Sequence, residues 1–248
     1  MQIEIPKTQF IGQLNESVVS RSGPRGLAML TRHSFPNRHI FNSISDEYHD
    51  IGFTQMGGRV RRRTPEEQYS FMRYCAQEGL RVIPPFGINR SAIDLPFLGH
   101  AETLDIFMAH ADVASAEKVA HDLLLDMSQA HQKGVVYGDR WSKNILVDPK
   151  YGPMHIDFDL EISGPVSADL DLAQMGYYIL CGGKGKVISI IAQFLGRIES
   201  LDSLHNIETF LRGHARHFFE RPTYGHVMEE TETVIDSMFH IHEQLKYS

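Results

Sequence analysis

The sequence predicts an α+β chain of two lobes: a small β-rich lobe with one helix, followed by a larger, mainly helical lobe. Three observations point there. Up to about residue 98, short apolar runs of strand length alternate with turn residues. Beyond Ala114, apolar residues recur at helical spacing in long segments. Between those regimes of the second lobe, Gly134 to Glu161 holds three short β-type runs, each next to an Asp or Asn.

In chain order, Val18-Val19 and Leu27-Ala28-Met29-Leu30 read as strands, with Ser22-Gly23-Pro24-Arg25-Gly26 as the turn between them. His33 to Gly58 is polar and punctuated by Pro and Gly, and is expected to be irregular. Thr64-Pro65-Glu66-Glu67 is a helix start: a capping Thr, Pro at the first helical position and acids in the first turn, with Gly79 as the stop. Val82-Ile83 and Ile93 to Leu95 are two further strands, and Phe97-Leu98-Gly99-His100 is the expected hinge. The lobes are therefore bounded as 1–98 and 99–248.

Ala114 to Gln132 places Val119, Leu123, Met127 and Ala130 on one face of a helix that Gly134 ends. The runs Gly134-Val135-Val136, Ile145-Leu146-Val147 and Met154-His155-Ile156 read as strands, Val166 to Leu180 as a helix, and 187–200, 204–220 and 225–245 as three more.

Composition narrows the function. A net charge of −7 over 248 residues excludes binding of nucleic acid by overall charge. Two distant cysteines, Cys75 and Cys181, fit a reducing compartment and not a disulfide scaffold. MQIEIPKTQF has no apolar core of a signal peptide, and no run approaches the roughly 20 apolar residues of a membrane span. A cytoplasmic protein is the expectation.

The chemistry-bearing residues are Asp139, Asn144 five residues on, and Asp157 thirteen residues after that. Phosphoryl transfer from ATP requires a group that orients or deprotonates the acceptor hydroxyl, and hard oxygen ligands for Mg²⁺. Asp139 is the candidate for the first task, Asn144 and Asp157 for the second. Asp159 is a further oxygen donor, unless strand alternation turns it away. Turn-making is the plainer reading of an isolated Asp or Asn. The basic run Arg59, Arg61, Arg62 and Arg63 could meet phosphate on a nucleotide, an acidic substrate or RNA, or lie as solvated charge. His214, His217, His240 and His242 are closely spaced without a metal-site pattern and read as packing or surface residues.

Gly138-Asp139 with Asn144, then Ile156-Asp157-Phe158, resembles the catalytic and metal-binding loops of the protein-kinase-like superfamily. Gly164 to Ala173, GPVSADLDLA, is similar to the G-D-P-x-x-D-L-A run of its aminoglycoside-phosphotransferase-like branch; the short D-L segment also resembles RIO-like kinases and the small kinase of the tRNA-threonylcarbamoylation complex. The likeness covers about Ala114 to Leu180. It implies a two-lobed kinase-like fold, ATP and Mg²⁺ as cofactors, and phosphoryl transfer to a hydroxyl. With about ten residues between Asp157 and the next helix, the implied acceptor is a small molecule, a glycan or an atypical protein substrate.

The resemblance also assigns supporting roles. Asp171, or its neighbour Asp169, would brace the catalytic loop, and Tyr137 stands where the usual His would be. Gly12 and Ser17 would belong to a phosphate-covering loop, of which only the first Gly is retained. Arg32 would replace the ATP-contacting lysine, since no lysine lies between Lys7 and Lys118; Glu66 or Glu67 would be its partner. Leu98 and His100 would offer hinge backbone to adenine. The missing lysine and the altered glycine loop sustain one alternative, a nucleotide-binding pseudokinase or scaffold; the arginine run and the resemblance to the tRNA-modification kinase imply another, an ATPase-like subunit of a tRNA-modification complex with an RNA or protein partner on that run.

Overall fold

The structure, a computed structural model, describes residues 9–11, 15–20, 29–34, 38–89, 92–221 and 227–247. Expectations for Gly12 and for the turn Ser22 to Gly26 lie outside the described residues. The chain is α+β. Strands β1 (Gln9–Ile11), β2 (Asn15–Ser20), β3 (Met29–Ser34), β5 (Gly87–Asn89) and β6 (Ala92–Pro96) form an antiparallel sheet in the order β1-β2-β3-β6-β5. Val18-Val19, Met29-Leu30 and Ile93 to Leu95 all fall on its strands.

Two departures from expectation lie between β3 and β5. Helix α1 (Arg38–Asp50) occupies much of the stretch read as irregular, so two helices and not one precede residue 98. Its apolar positions Ile44, Tyr48 and the following Ile51 are spaced as one helical face and are buried; the polar residues around them hid that period. The basic run is a strand, β4 (Arg59–Arg62), paired antiparallel with β10 (Leu160–Ser163), a hundred residues away. Helix α2 (Pro65–Gln77) begins as predicted. Thr64 caps the Glu67 N–H, and the Glu67 carboxylate accepts from the Thr64 N–H, a complete capping box.

Besides the five-stranded sheet and the β4–β10 pair, a three-stranded sheet joins β7 (Glu102–Thr103), β8 (Ile145–Asp148) and β9 (Gly152–His155). Asp148 makes the β8–β9 turn by accepting from the Lys150 and Tyr151 N–H groups. Val82 adds only an isolated parallel bridge to His155. Val135-Val136, expected as a strand, is outside all three sheets: it runs from the end of α4 into a loop whose N–H groups bond a side chain instead of a neighbouring strand.

The remaining helices are α3 (Leu104–His110), α4 (Val113–Gln132), α5 (Ser167–Gly183), α6 (Ile188–Leu195), α7 (Leu201–His217) and α8 (Met228–Lys246). α3, absent from the sequence reading, is the shortest of these, at seven residues. α5 is buried on nearly all sides, packing against α3, α4 and α7. A helix apolar all round belongs at the centre, and this one delivers Asp171 and Gln174 to the loop that precedes β8. Among the described residues, no helix is long and apolar enough to cross a membrane.

Candidate active site

The segment from Tyr137 to Asn144 links α4 to β8 and is fixed from behind. Gly138 has φ +81, and a Cβ there would stand 3.0 Å from the Leu160 carbonyl oxygen, so glycine is required by backbone conformation and by space. Asp171 accepts from the Tyr137 N–H at Oδ2, 2.8 Å, and from the Gly138 N–H at Oδ1, 3.0 Å, with His131 Nε2 also 3.1 Å from Oδ2. Asp171, and not Asp169, is thus the residue that reaches the loop; Asp169 accepts from Asn206. The Tyr137 hydroxyl donates to Asp126 Oδ2 at 2.6 Å, and Asp126 Oδ1 accepts from the Arg81 N–H. Burial followed by the Asp126 charge holds the Tyr137 proton in place, and burial keeps His155, beside Asp126, neutral.

Arg140 ties this loop to the one carrying Asp157, and Arg63, just after β4, holds the latter. Arg140 is fully buried. Its guanidinium donates to the carbonyls of Gly138, Ile156 and Asp157 and lies 4.3 Å over the Phe158 ring. Arg63 donates to the Phe158 and Leu160 carbonyls from the other side, and its N–H bonds the Asp159 carbonyl. A rigid five-donor fork suits such multiple carbonyl recognition. Burial pushes the Arg63 pKa down to about 10, which still leaves it charged at neutral pH.

The working face is different. Asn144 Nδ2 donates to the Asp139 carbonyl at 3.1 Å, which fixes the amide and turns its oxygen into the available acceptor end. Asp157 has φ 60, a left-handed conformation uncommon outside Gly and Asn and often found where function outweighs local strain. Asp139 is half-buried. Its carboxyl is pushed up to about 8, first by burial and next by the Glu47 carboxylate; Asp157 adds to the rise, and Arg140 and a hydrogen bond from Trp141 oppose it. Glu47, 5% exposed, is itself raised to about 7 by burial, against the pull of Arg221. Asp139, Asn144 and Asp157 are therefore brought together, with Glu47 as a fourth polar neighbour. Asp159 is buried behind them, away from solvent.

Glu47, Tyr48 and Arg140 are absent from the sequence reading, and Arg63 figures there only as one of the basic run. Tyr48 Oη accepts from Gln174 Nε2 at 3.4 Å, and Gln174 Oε1 accepts from the Arg140 N–H, so α1 is coupled to the loop through α5. The apolar period Ile44–Tyr48–Ile51 was the signal that could have found α1, and with it Glu47. Arg140 carries no signal beyond its place next to Asp139.

The remaining predicted residues are more scattered. Ser17 and Arg32 face one another in the β2–β3 register, with side chains outside the description. Glu67 is engaged by the exposed Arg61 at 2.8 Å and by its own cap; Arg61 also bonds Glu161. The basic run is thus no uniform basic surface: Arg61 is countered by carboxylates and Arg63 is buried, while Arg59 stands exposed and Arg62 half-buried. Leu98 and His100 follow β6 and border a recess of about 430 Å³ shared with Lys150 and Tyr151. His214 is buried between the Tyr177 and Phe218 rings and is pushed down to about 3 by burial. Among the described residues, no group of three or more His, Cys, Asp or Glu could hold a metal ion unaided.

Compared with models of known families and with curated proteins, the chain matches none.

Proposed function

We propose that the chain is a two-lobed, protein-kinase-like phosphotransferase that moves the γ-phosphoryl group of Mg-ATP to a hydroxyl, with 1–98 and 99–248 as its lobes. The observation that carries this reading is the convergence of Asp139, Asn144 and Asp157 on two loops locked together by Arg140. Such a site works by positioning and charge, with little covalent chemistry of its own.

The donor set fits a hard divalent cation. A carboxylate from Asp157 and an amide oxygen from Asn144, whose nitrogen is already committed to the Asp139 carbonyl, are oxygen ligands of the kind Mg²⁺ selects while keeping water and phosphate oxygens. Mg²⁺ held there would neutralise charge on the β- and γ-phosphates and relieve the crowding of carboxylates around Asp139. Asp139 then orients the acceptor O–H and takes its proton. The acceptor oxygen forms the new bond to the γ-phosphorus; the bond from that phosphorus to the β–γ bridging oxygen breaks, and its electron pair leaves on ADP.

Calorimetric titration of ATP, with and without Mg²⁺, into wild type and Asp157→Ala tests the proposal. Magnesium-dependent binding that is lost in the variant is expected. No nucleotide binding by wild type overturns it. The absence of any lysine from 8 to 117 favours one second reading, a nucleotide-binding scaffold; magnesium-dependent binding with no phosphoryl transfer or release would establish that instead.

A further inference from the structure

Beside the loop lies a cavity of about 610 Å³, between α3, the start of the Ser142–Asn144 turn and the C-terminal end of α5. Its volume is in the range of small-molecule sites. Ser142 lines it, is 1% exposed, and its Oγ has no hydrogen-bond partner among the described residues. An orphaned buried hydroxyl is a free-energy penalty that a ligand can remove.

We propose that this cavity holds the phosphoryl acceptor, and that the acceptor is a hydroxylated small molecule bearing an anionic group, of the size and chemistry of a sugar phosphate. The inference rests on the phosphotransferase reading and deepens it.

The walls match such a molecule in three parts. Ile106, Ala109 and the Tyr178 ring give an apolar side suited to the C–H face of a sugar. Ser142 and Asp105 supply polar groups for hydroxyls. Lys184, exposed and with no carboxylate partner among the described residues, sits at the rim with φ 50, and Lys186 beside it donates to the Met108 and Ala111 carbonyls. Positive charge at that end of a chain of net charge −7 favours an anion there over a cation.

The cavity also adjoins the reacting end. Trp141, which hydrogen-bonds Asp139, stacks on Tyr178 with ring centroids 6.0 Å apart. After burial, the charges of Glu47 and Asp139 are the next influences on the Tyr178 phenol, so this cavity-lining residue lies near those carboxylates. Cys181 also lines the cavity. Burial pushes its thiol up to about 12, so it stays protonated and is no competing nucleophile.

The test needs no turnover. Ligand-detected NMR would measure binding of a fixed panel of pentose and hexose monophosphates, with the parent sugars as controls, to wild type, Ala109→Trp and Lys184→Glu. Ala109 and Lys184 are exposed, so both variants should fold, checked by an unchanged melting temperature. Expected are a phosphorylated sugar that binds at least tenfold tighter than its parent sugar, a tenfold or greater loss in each variant, and unchanged Mg-ATP affinity. If no phosphorylated member outbinds its parent, or binding survives both variants, the assignment falls. Failure of the phosphotransferase reading would instead appear as loss of Mg-ATP binding in wild type.

Discussion

Asp171 and Asp139 stand on opposite sides of one loop, and their surroundings differ in kind. Behind the loop, Asp171 is fully buried with two backbone donors and an imidazole around its oxygens, and Tyr137, Asp126, Arg140 and Gln174 are each hydrogen-bonded to a named partner. In front, Asp139 lies within the influence of the Glu47 and Asp157 charges, and its carboxyl is pushed up to about 8, first by burial. Satisfied buried polar groups fix a structure; crowded ones of like charge store a potential that a cation or a hydroxyl can draw on. The rear network is the scaffold, and the front is where chemistry would act.

The largest effect should come from the rear. Asp171→Ala leaves the Tyr137 and Gly138 N–H groups buried without their acceptor. Breaking a buried charged network of this kind costs about 3–5 kcal/mol, which for a chain of this size lowers the melting temperature by on the order of 10 °C. Urea denaturation measures it. A loss below about 1 kcal/mol would mean that the loop holds itself and that the contrast is false.

Asp139→Asn should do the reverse. If Asp139 is the base, transfer to the acceptor falls by about 10²–10⁴-fold while Mg-ATP still binds. Stability should rise. A folded-state carboxyl raised to about 8 binds its proton more tightly than in the unfolded chain, so wild-type stability declines as pH rises from about 4 to about 8. The amide removes that decline, and the variant should melt higher than wild type above pH 8. Melting curves across pH 5 to 9 decide it, and a variant that melts lower at every pH would move Asp139 to the structural side of the comparison.

The two sides were not equally legible in the sequence. Asp139, Asn144 and Asp157 could be found because the loops that carry them lie close in the chain, on either side of one hairpin. Asp171 was legible from the D-L-D-L-A run that opens α5. Glu47 was hidden in a stretch where Pro36, Gly52, Gly57 and Gly58 outweighed the period of Ile44, Tyr48 and Ile51. Arg63 read as surface charge because the strand that covers it, β10, is a hundred residues away, and pairing at that range leaves no local mark. Local pattern therefore located the residues proposed to react, while the groups packed around them came from contacts no window of sequence contains.

Glu47 is the finest test of the comparison. Burial raises its carboxyl to about 7, and its charge is the largest influence after burial in raising Asp139 to about 8. Ionising Asp139 in wild type means adding a second negative charge beside the first. Glu47→Gln removes the first charge and keeps the side chain's size. Asp139 should then ionise at lower pH, by roughly one unit or about 1.4 kcal/mol, and the acidic limb of the pH–rate profile for transfer should move down with it. A limb that stays in place would show that burial alone raises Asp139, and that α1 covers the site without tuning it.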